Sequence, residues 1–212
     1  MTLAIPRLDR TTAEERGLTI ADFLVPIRVG ERVNARVRHV VLILIGVLIV
    51  AVCAQIYIPT TPVPFTGQTF AVLAVGGALG FRRGAMSLAL YVLLGAVGLP
   101  IFAQSASGVS VVLGTSGGYL IGFVLAAAAV GRLAELGWDR NIAGSLGAML
   151  IGSVLIYTVG LPWLGIVGKF SLQDTIAFGL TPFLAWDAAK LAVAAAIFPA
   201  AWWIVGRRPD DR

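Results

Sequence analysis

Asp187 and Lys190 are the only two charged side chains set deep inside a long apolar run, Gly179 to Val205. An acid and a lysine three residues apart lie on one face of a helix and can pair. A charge in hydrocarbon costs about 2.5–3.5 kcal/mol at a helix centre on insertion scales, so such residues normally face a cavity or a partner. The pair is therefore read as the floor of a site. Without a ligand it satisfies itself as an ion pair, because either charge alone in low dielectric is costly. A plain clamp between helices is the competing structural reading. Polar groups that can join the site are Thr66 and Gln68 on one loop and Ser116, beside Gly117, on another. The aromatic lining candidates are Phe65, Tyr91, Tyr119 and Trp186. A mostly apolar lining with a few placed polar groups is the composition of a small-molecule pocket.

Other chemistries fail on residue type or position. Gly165-Ile166-Val167-Gly168-Lys169 has the look of a phosphate loop, but Trp163 replaces its first glycine and Phe170 stands where a Ser or Thr binds magnesium. Gly114-Thr115-Ser116-Gly117 resembles the nucleophile turn of rhomboid-type proteases. Its serine needs a base within hydrogen-bond reach, and the one histidine, His39, is predicted across the membrane. An aspartyl protease needs two acids sharing a proton, and only Asp187 is available. The single cysteine, Cys53, forms no internal disulfide and no metal site with His39.

The elements that must position these residues are membrane spans. The 212 residues are 58% hydrophobic and 13% charged, with a mean hydropathy of +0.90, and a soluble domain carries about 25% charge. Six apolar runs are read as helices: Val40–Ile58, Gln68–Gly80, Ala85–Leu99, Gly118–Gly137, Asn141–Leu161 and Leu180–Val205. The net charge of +5 alone would suit nucleic acid, but its distribution points to lipid instead. Of the 16 Lys and Arg residues, 14 fall on one side if the N-terminus is cytoplasmic, leaving Lys169 outside and Lys190 in the membrane. That is the positive-inside asymmetry of an even number of spans with both termini in the cytoplasm. The predicted division is a preamble at 1–38, a six-helix transmembrane domain at 39–206 and a tail at 207–212.

Within the preamble, Thr12 to Glu15 fits a capping box, and Ala21 to Ile27 has the makings of an interfacial helix. A partly ordered tail is the equal alternative. Two outer connections carry no charge. Ile58 to Gln68 contains three prolines that stiffen it, and Leu99 to Gly117 is long enough to be expected over the site. Gly118-xxx-Gly122-xxx-Ala126 and Gly144-xxx-Ala148-xxx-Gly152 let helices pack closely. Span 1 shows no such stripe, since Gly46 is followed four later by Val50, and its partner face is unassigned. No signal-peptide cleavage site and no internal repeat is read.

Five motifs in order resemble the BioY family, the biotin-binding substrate (S) components of energy-coupling-factor (ECF) transporters. They are Pro62-Val63-Pro64-Phe65-Thr66-Gly67-Gln68-Thr69, Ala89 through Tyr91 to Phe102, Gly117-Gly118-Tyr119-Leu120-Ile121-Gly122-Phe123, Gly160-Leu161-Pro162-Trp163-Leu164, and Pro182-Phe183-Leu184 through Asp187 and Lys190. The resemblance implies an all-α S-component-like bundle that captures biotin from outside and needs no cofactor. Its implied partners are a transmembrane coupling subunit and cytoplasmic ATPases. It also implies biotin recognition by Asp187 and Lys190, with loops at Thr66 to Gln68 and Ser116 to Tyr119 covering the ligand. Two positions depart from the family pattern. Thr115-Ser116 stands for a Pro-Thr, which keeps a hydroxyl, and Ala185-Trp186 stands for a Pro-Gly, which sets an indole beside the acid. Biotin suits the pair: Asp187 can accept from ureido N–H groups, and Lys190 can donate to the ureido oxygen or the carboxylate. The rival function is a self-sufficient secondary vitamin carrier with Asp187 as proton relay, and a hydrolase using Ser116 is a third reading.

Overall fold

The computed structural model describes residues 19–24 and 35–206. The capping box at Thr12 to Glu15 and the arginines at 207, 208 and 212 lie outside the described residues, as do residues 25–27 of the expected interfacial helix. What is described of that helix is one turn, α1 (Ile20–Leu24). Among the described residues, four stretches are long and apolar enough to cross a membrane: Arg36–Ala54, Gly117–Glu135, Ile142–Gly168 and Leu172–Ile204. Large apolar side chains face outward along them, Leu48, Leu150, Val154 and Ile204 among them. Lipid demands such a surface, because it solvates no polar group.

Helix α2 (Ala35–Ala54) leads into a two-residue antiparallel ladder, β1 (Tyr57–Ile58) with β2 (Phe65–Thr66), in which Tyr57 faces Thr66 and Ile58 faces Phe65. An all-α reading did not anticipate this ladder. Pro59, Pro62 and Pro64 lie in the loop it closes, where no ladder N–H is needed.

The second and third predicted spans are the two helical arms of α3 (Gln68–Ala96), which is broken at Gly80 with φ 84° and ψ 179°. That backbone region is essentially open to glycine alone. The chain reverses there. Gln68 Nε2 and Tyr91 Oη come within 2.8 Å, whereas a straight helix would hold residues 23 apart at roughly 35 Å. A Cβ on Gly84 would meet Gly76 Cα at 3.0 Å, so the two arms touch backbone to backbone. At 1.5 Å per residue the arms are about 18 and 24 Å long, short of a hydrocarbon core of about 30 Å. The arms stand at the predicted short runs Gln68–Gly80 and Ala85–Leu99, so four long stretches and a short helical hairpin occupy the positions of the six predicted runs.

The loop after α3 is not structureless. It holds a 3-10 turn (Ala103–Ser105) and α4 (Val109–Leu113), which lead into α5 (Gly117–Glu135). A further 3-10 turn, Trp138–Arg140, joins α5 to α6 (Ile142–Gly168). Helix α6 corrects the predicted end at Leu161: it continues seven residues past it through Pro162. Buried Leu164 and the Trp163 Nε1 bond to the Gly114 carbonyl (2.9 Å) hold the extra turns, and a missing N–H in a membrane helix is tolerated where neighbours pack it. The small-residue stripe of α5 packs on α6 as expected. A Cβ on Gly122 would lie 2.9 Å from Ile156 Cα.

Helix α7 (Leu172–Gly179), capped by Ser171 accepting from Asp174 N, precedes α8 (Thr181–Gly206). The loops at 57–66, 97–116 and 169–180 gather at one end, called here the roofed end. The Gly80 bend, α1 and Trp138–Arg140 lie at the other, the arginine end. There Asp22 of α1 pairs with Arg38 and Arg83 at 2.7 Å each.

Candidate functional site

Beneath the roofed end lies a cavity of about 320 Å³, at the lower bound of ligand pockets, which run to about 1,000 Å³. Its roof comes from Thr60–Pro64 and from Phe102, Gln104 and Ala106. Its walls come from Thr66, Gln68 and Thr69 at the start of α3, Ser116, Tyr119 and Phe123 around α5, Tyr157 on α6 and Phe183 on α8. The roof segments are tied together: Thr115 Oγ1 donates to the Pro62 carbonyl at 3.0 Å. Gln55 Nε2, just past α2, donates to the Phe102 carbonyl at 3.0 Å, and its Oε1 accepts from Ser105 N at 3.1 Å.

Of the predicted site residues, Thr66, Gln68, Ser116 and Tyr119 are brought together on this wall. The other predicted residues stand elsewhere. Tyr91 is fully buried one layer behind, accepting from Gln68 Nε2 and donating to the Ile101 carbonyl at 3.0 Å. It fixes Gln68, whose Oε1 accepts from Thr66 Oγ1 at 3.0 Å. Gly117 supports the turn rather than the wall, since a Cβ there would collide with the Val112 carbonyl. Trp186 is 56% exposed and rests against Phe65 on the outer face, with ring centroids 5.9 Å apart. The indole thus stands outside the lining expected of it, because one residue before Asp187 a helical side chain points about 100° away from it.

The ion pair itself also stands behind the wall instead of forming its floor. Asp187 is 6% exposed, and Lys190 Nζ lies 3.2 Å from its Oδ1. Lys190 also donates to the Thr66 carbonyl at 2.9 Å and to Thr69 Oγ1 at 2.8 Å, and sits 4.6 Å from the centre of the Phe65 ring. Asp187 accepts from Thr69 Oγ1 at 3.3 Å and, through Oδ2, from the Tyr157 hydroxyl. Thr66, Thr69 and Tyr157 separate the charges from the cavity.

Tyr157 and Thr69 were not among the predicted site residues. The signal for Tyr157 was present in the sequence: a tyrosine hydroxyl at membrane depth needs a partner. Thr69 is the last residue of the motif that supplied Thr66 and Gln68. His39 lies in the first turns of α2 at the arginine end, far from Ser116. Among the described residues no group of three or more His, Cys, Asp or Glu could hold a metal ion.

A bundle of lipid-facing helices that keeps a roofed cavity, and an ion pair hidden behind its wall, defines a membrane protein built to hold a small molecule. The chain belongs to the BioY family, whose pattern matches residues 28–207. It is 41% identical over 152 residues to the biotin transporter BioY of Thermotoga maritima, covering 70% of this chain and 86% of that one. It is 32% identical over 154 residues to the biotin transporter BioY2 of Lactococcus lactis, covering 71% and 82%. The crystal structure of an S-component for biotin from an ECF-type ABC transporter superposes with a TM-score of 0.71 at 25% identity, covering 81% of this chain and 94% of that one.

Proposed function

We propose that this protein captures biotin from outside the cell as the substrate-binding subunit of an ECF-type ABC transporter. A transmembrane coupling subunit and cytoplasmic ATPases would supply the energy that moves the ligand. The cavity carries the reading: its size, its roof of loops and its mixed wall suit a compact bicyclic ligand with a few polar groups, in a chain of the BioY family. In this reading the roofed end faces outward and both termini are cytoplasmic. The arms of α3 serve as the second and third of six crossings. Thr66, Gln68, Ser116 and Tyr119 contact the ligand, and Asp187 with Lys190 supplies the charge behind them. In this reading nucleotide hydrolysis falls to the ATPase subunits.

Equilibrium binding of labelled biotin to the purified protein tests this. Submicromolar binding is expected in wild type, weakened at least about tenfold in Asp187→Asn with Lys190→Met, since hydrogen bonds involving charge are worth about 1.5–3 kcal/mol. No binding by wild type, or binding unchanged in the double variant, would count against it. The rival carrier reading requires uptake in cells lacking coupling subunits.

A further inference from the structure

Ile166 and Leu172 are the most exposed large apolar side chains among the described residues, at 78% each, and they flank the turn between α6 and α7 at the roofed end. The turn is closed by specific contacts. Phe170 N donates to the Gly165 carbonyl at 3.1 Å, Lys169 ends α6 with φ 54°, and Phe170 packs edge-on against Phe178 with ring centroids 5.6 Å apart. Helix α7 then runs back along the end of α6: a Cβ on Gly165 would lie 3.0 Å from Thr175 Oγ1, and one on Gly179 would lie 2.6 Å from Leu164 Cδ2. Tyr119 Oη, donating to the Gly179 carbonyl at 2.9 Å, holds the far end. Buried Thr175 and Gly179 therefore set which face of α7 turns inward. At about 100° per residue, Leu172 and Ile176 fall about 40° apart on one flank of α7 beside that face, and Gln173, Asp174 and Ala177 take the opposite side, exposed.

The level of this flank follows from length. Helix α6 starts at the arginine end, and roughly 20 residues at 1.5 Å each cross a hydrocarbon core of about 30 Å. That brings the chain to Leu161, so the last turns of α6, and α7 beside them, stand at the headgroup layer. Leu146, Leu150, Val154, Thr158, Pro162 and Ile166 form one exposed row along α6, every fourth residue, which carries the lipid-facing surface up to the turn. The Thr158 hydroxyl does not interrupt it, since it donates to the Val154 carbonyl at 2.7 Å. Lys169 is exposed at the tip, where an ammonium meets lipid phosphate, and Asp174 offsets its charge.

We propose that residues 165–178 are an interfacial anchor: Ile166, Leu172 and Ile176 enter the acyl boundary of the leaflet at the roofed end, while Gln173 and Asp174 stay in water. The occupant of the flank is phospholipid, because the flank continues the lipid-facing row of α6 at the depth where hydrocarbon meets headgroup. The two charges at the tip cancel, so the anchor holds through apolar area and needs no anionic lipid.

The test is spin-label accessibility in the full chain carrying Cys53→Ala, reconstituted in phosphatidylcholine vesicles. Single labels at Ile166→Cys, Leu172→Cys and Ile176→Cys should collide freely with oxygen, which concentrates in lipid, and should lose collisions with a water-soluble nickel chelate relative to a label at Gln173→Cys. Adding phosphatidylglycerol should leave this contrast unchanged. Labels at positions 166 and 172 as open to the chelate as the one at 173 would overturn the proposal, because the flank would then stand in water. Labels shielded from both reagents would overturn it as well, since a second copy of the chain would then cover the flank. A contrast that appears only with phosphatidylglycerol would mean that charge, not apolar area, holds the segment, and would overturn it too. Should one labelled variant fail to reconstitute, the other two sites decide the matter. No outcome depends on biotin binding, so the test stands apart from the functional reading above.

Discussion

Asp139 shows how much a single buried group at the arginine end can govern. Its carboxylate is 2% exposed, accepting from Trp202 Nε1 at 2.6 Å, with Arg140 Nε 3.7 Å from the other oxygen. Burial is the largest influence and pushes its pKa up to about 6, against the downward pull of the Trp202 bond and the Arg140 charge. The folded protein therefore holds this proton more tightly than the unfolded chain does. The resulting stability is fully present below about pH 3.8 and lost as pH rises through about 6. Asp22 has the opposite sign. Burial raises it, but the hydrogen bond and charge of Arg83 outweigh that and leave it below 3.8, so its contribution fades only in more acid solution. Asp139→Asn keeps an acceptor for Trp202 and removes the charge. Wild type should lose up to about 3 kcal/mol from this group between pH 4 and 6.5, and the variant should lack that slope in melting curves. Parallel curves would refute the assignment. At this scale the sequence was legible where a lone charge stood in an apolar run, as at Asp187. It was silent where the charge lay in a turn, because nothing in Trp138-Asp139-Arg140 shows that Trp202, 63 residues on, closes over it.

At the scale of elements, periodicity located the long helices but not how the chain bends between them. The predicted runs stop at Gly80 and resume at Ala85, whereas the reversal falls at Gly80 itself and Arg82 and Arg83 sit on the second arm. The predicted run ends at Leu161, just before a proline that lacks the N–H, yet Trp163 and Leu164 carry the helix onward by packing that no local signal encodes. The Gly80 bend makes the α3 hairpin testable. A Cβ there would meet Glu135 Oε1 at 2.7 Å and Thr19 Cγ2 at 2.9 Å, and the same Glu135 oxygen caps Phe81 N at 2.9 Å. Gly80→Ala must therefore adopt a backbone conformation costing about 1–3 kcal/mol and also push aside the cap of the second arm. A lowered melting temperature is expected. Weaker biotin binding should accompany it, because the hairpin sets Gln68 against Tyr91. A variant as stable as wild type would mean that the reversal is not a fixed feature.

For the whole molecule, the division of labour between its two ends decides what ligand entry requires. The arginine end is joined by ion pairs between α1, α2 and α3, so it resists opening. The roofed end is stitched by neutral bonds: Thr115 to Pro62, Trp163 to Gly114, and Gln55 to the Phe102 loop. A neutral bond contributes only about 0.5–1.5 kcal/mol net, so these ties can break and re-form on the way in and out. Thr115→Val removes the tie between the two roof segments without touching the wall, since Thr115 is not a lining residue. If that tie must open for passage, its loss should speed both association and dissociation of biotin about two- to tenfold, while the dissociation constant moves much less. Stopped-flow measurements would show this as parallel shifts in the two rates. A change in dissociation alone would instead make Thr115 part of the ligand's grip, and unchanged rates would mean that biotin enters by another route.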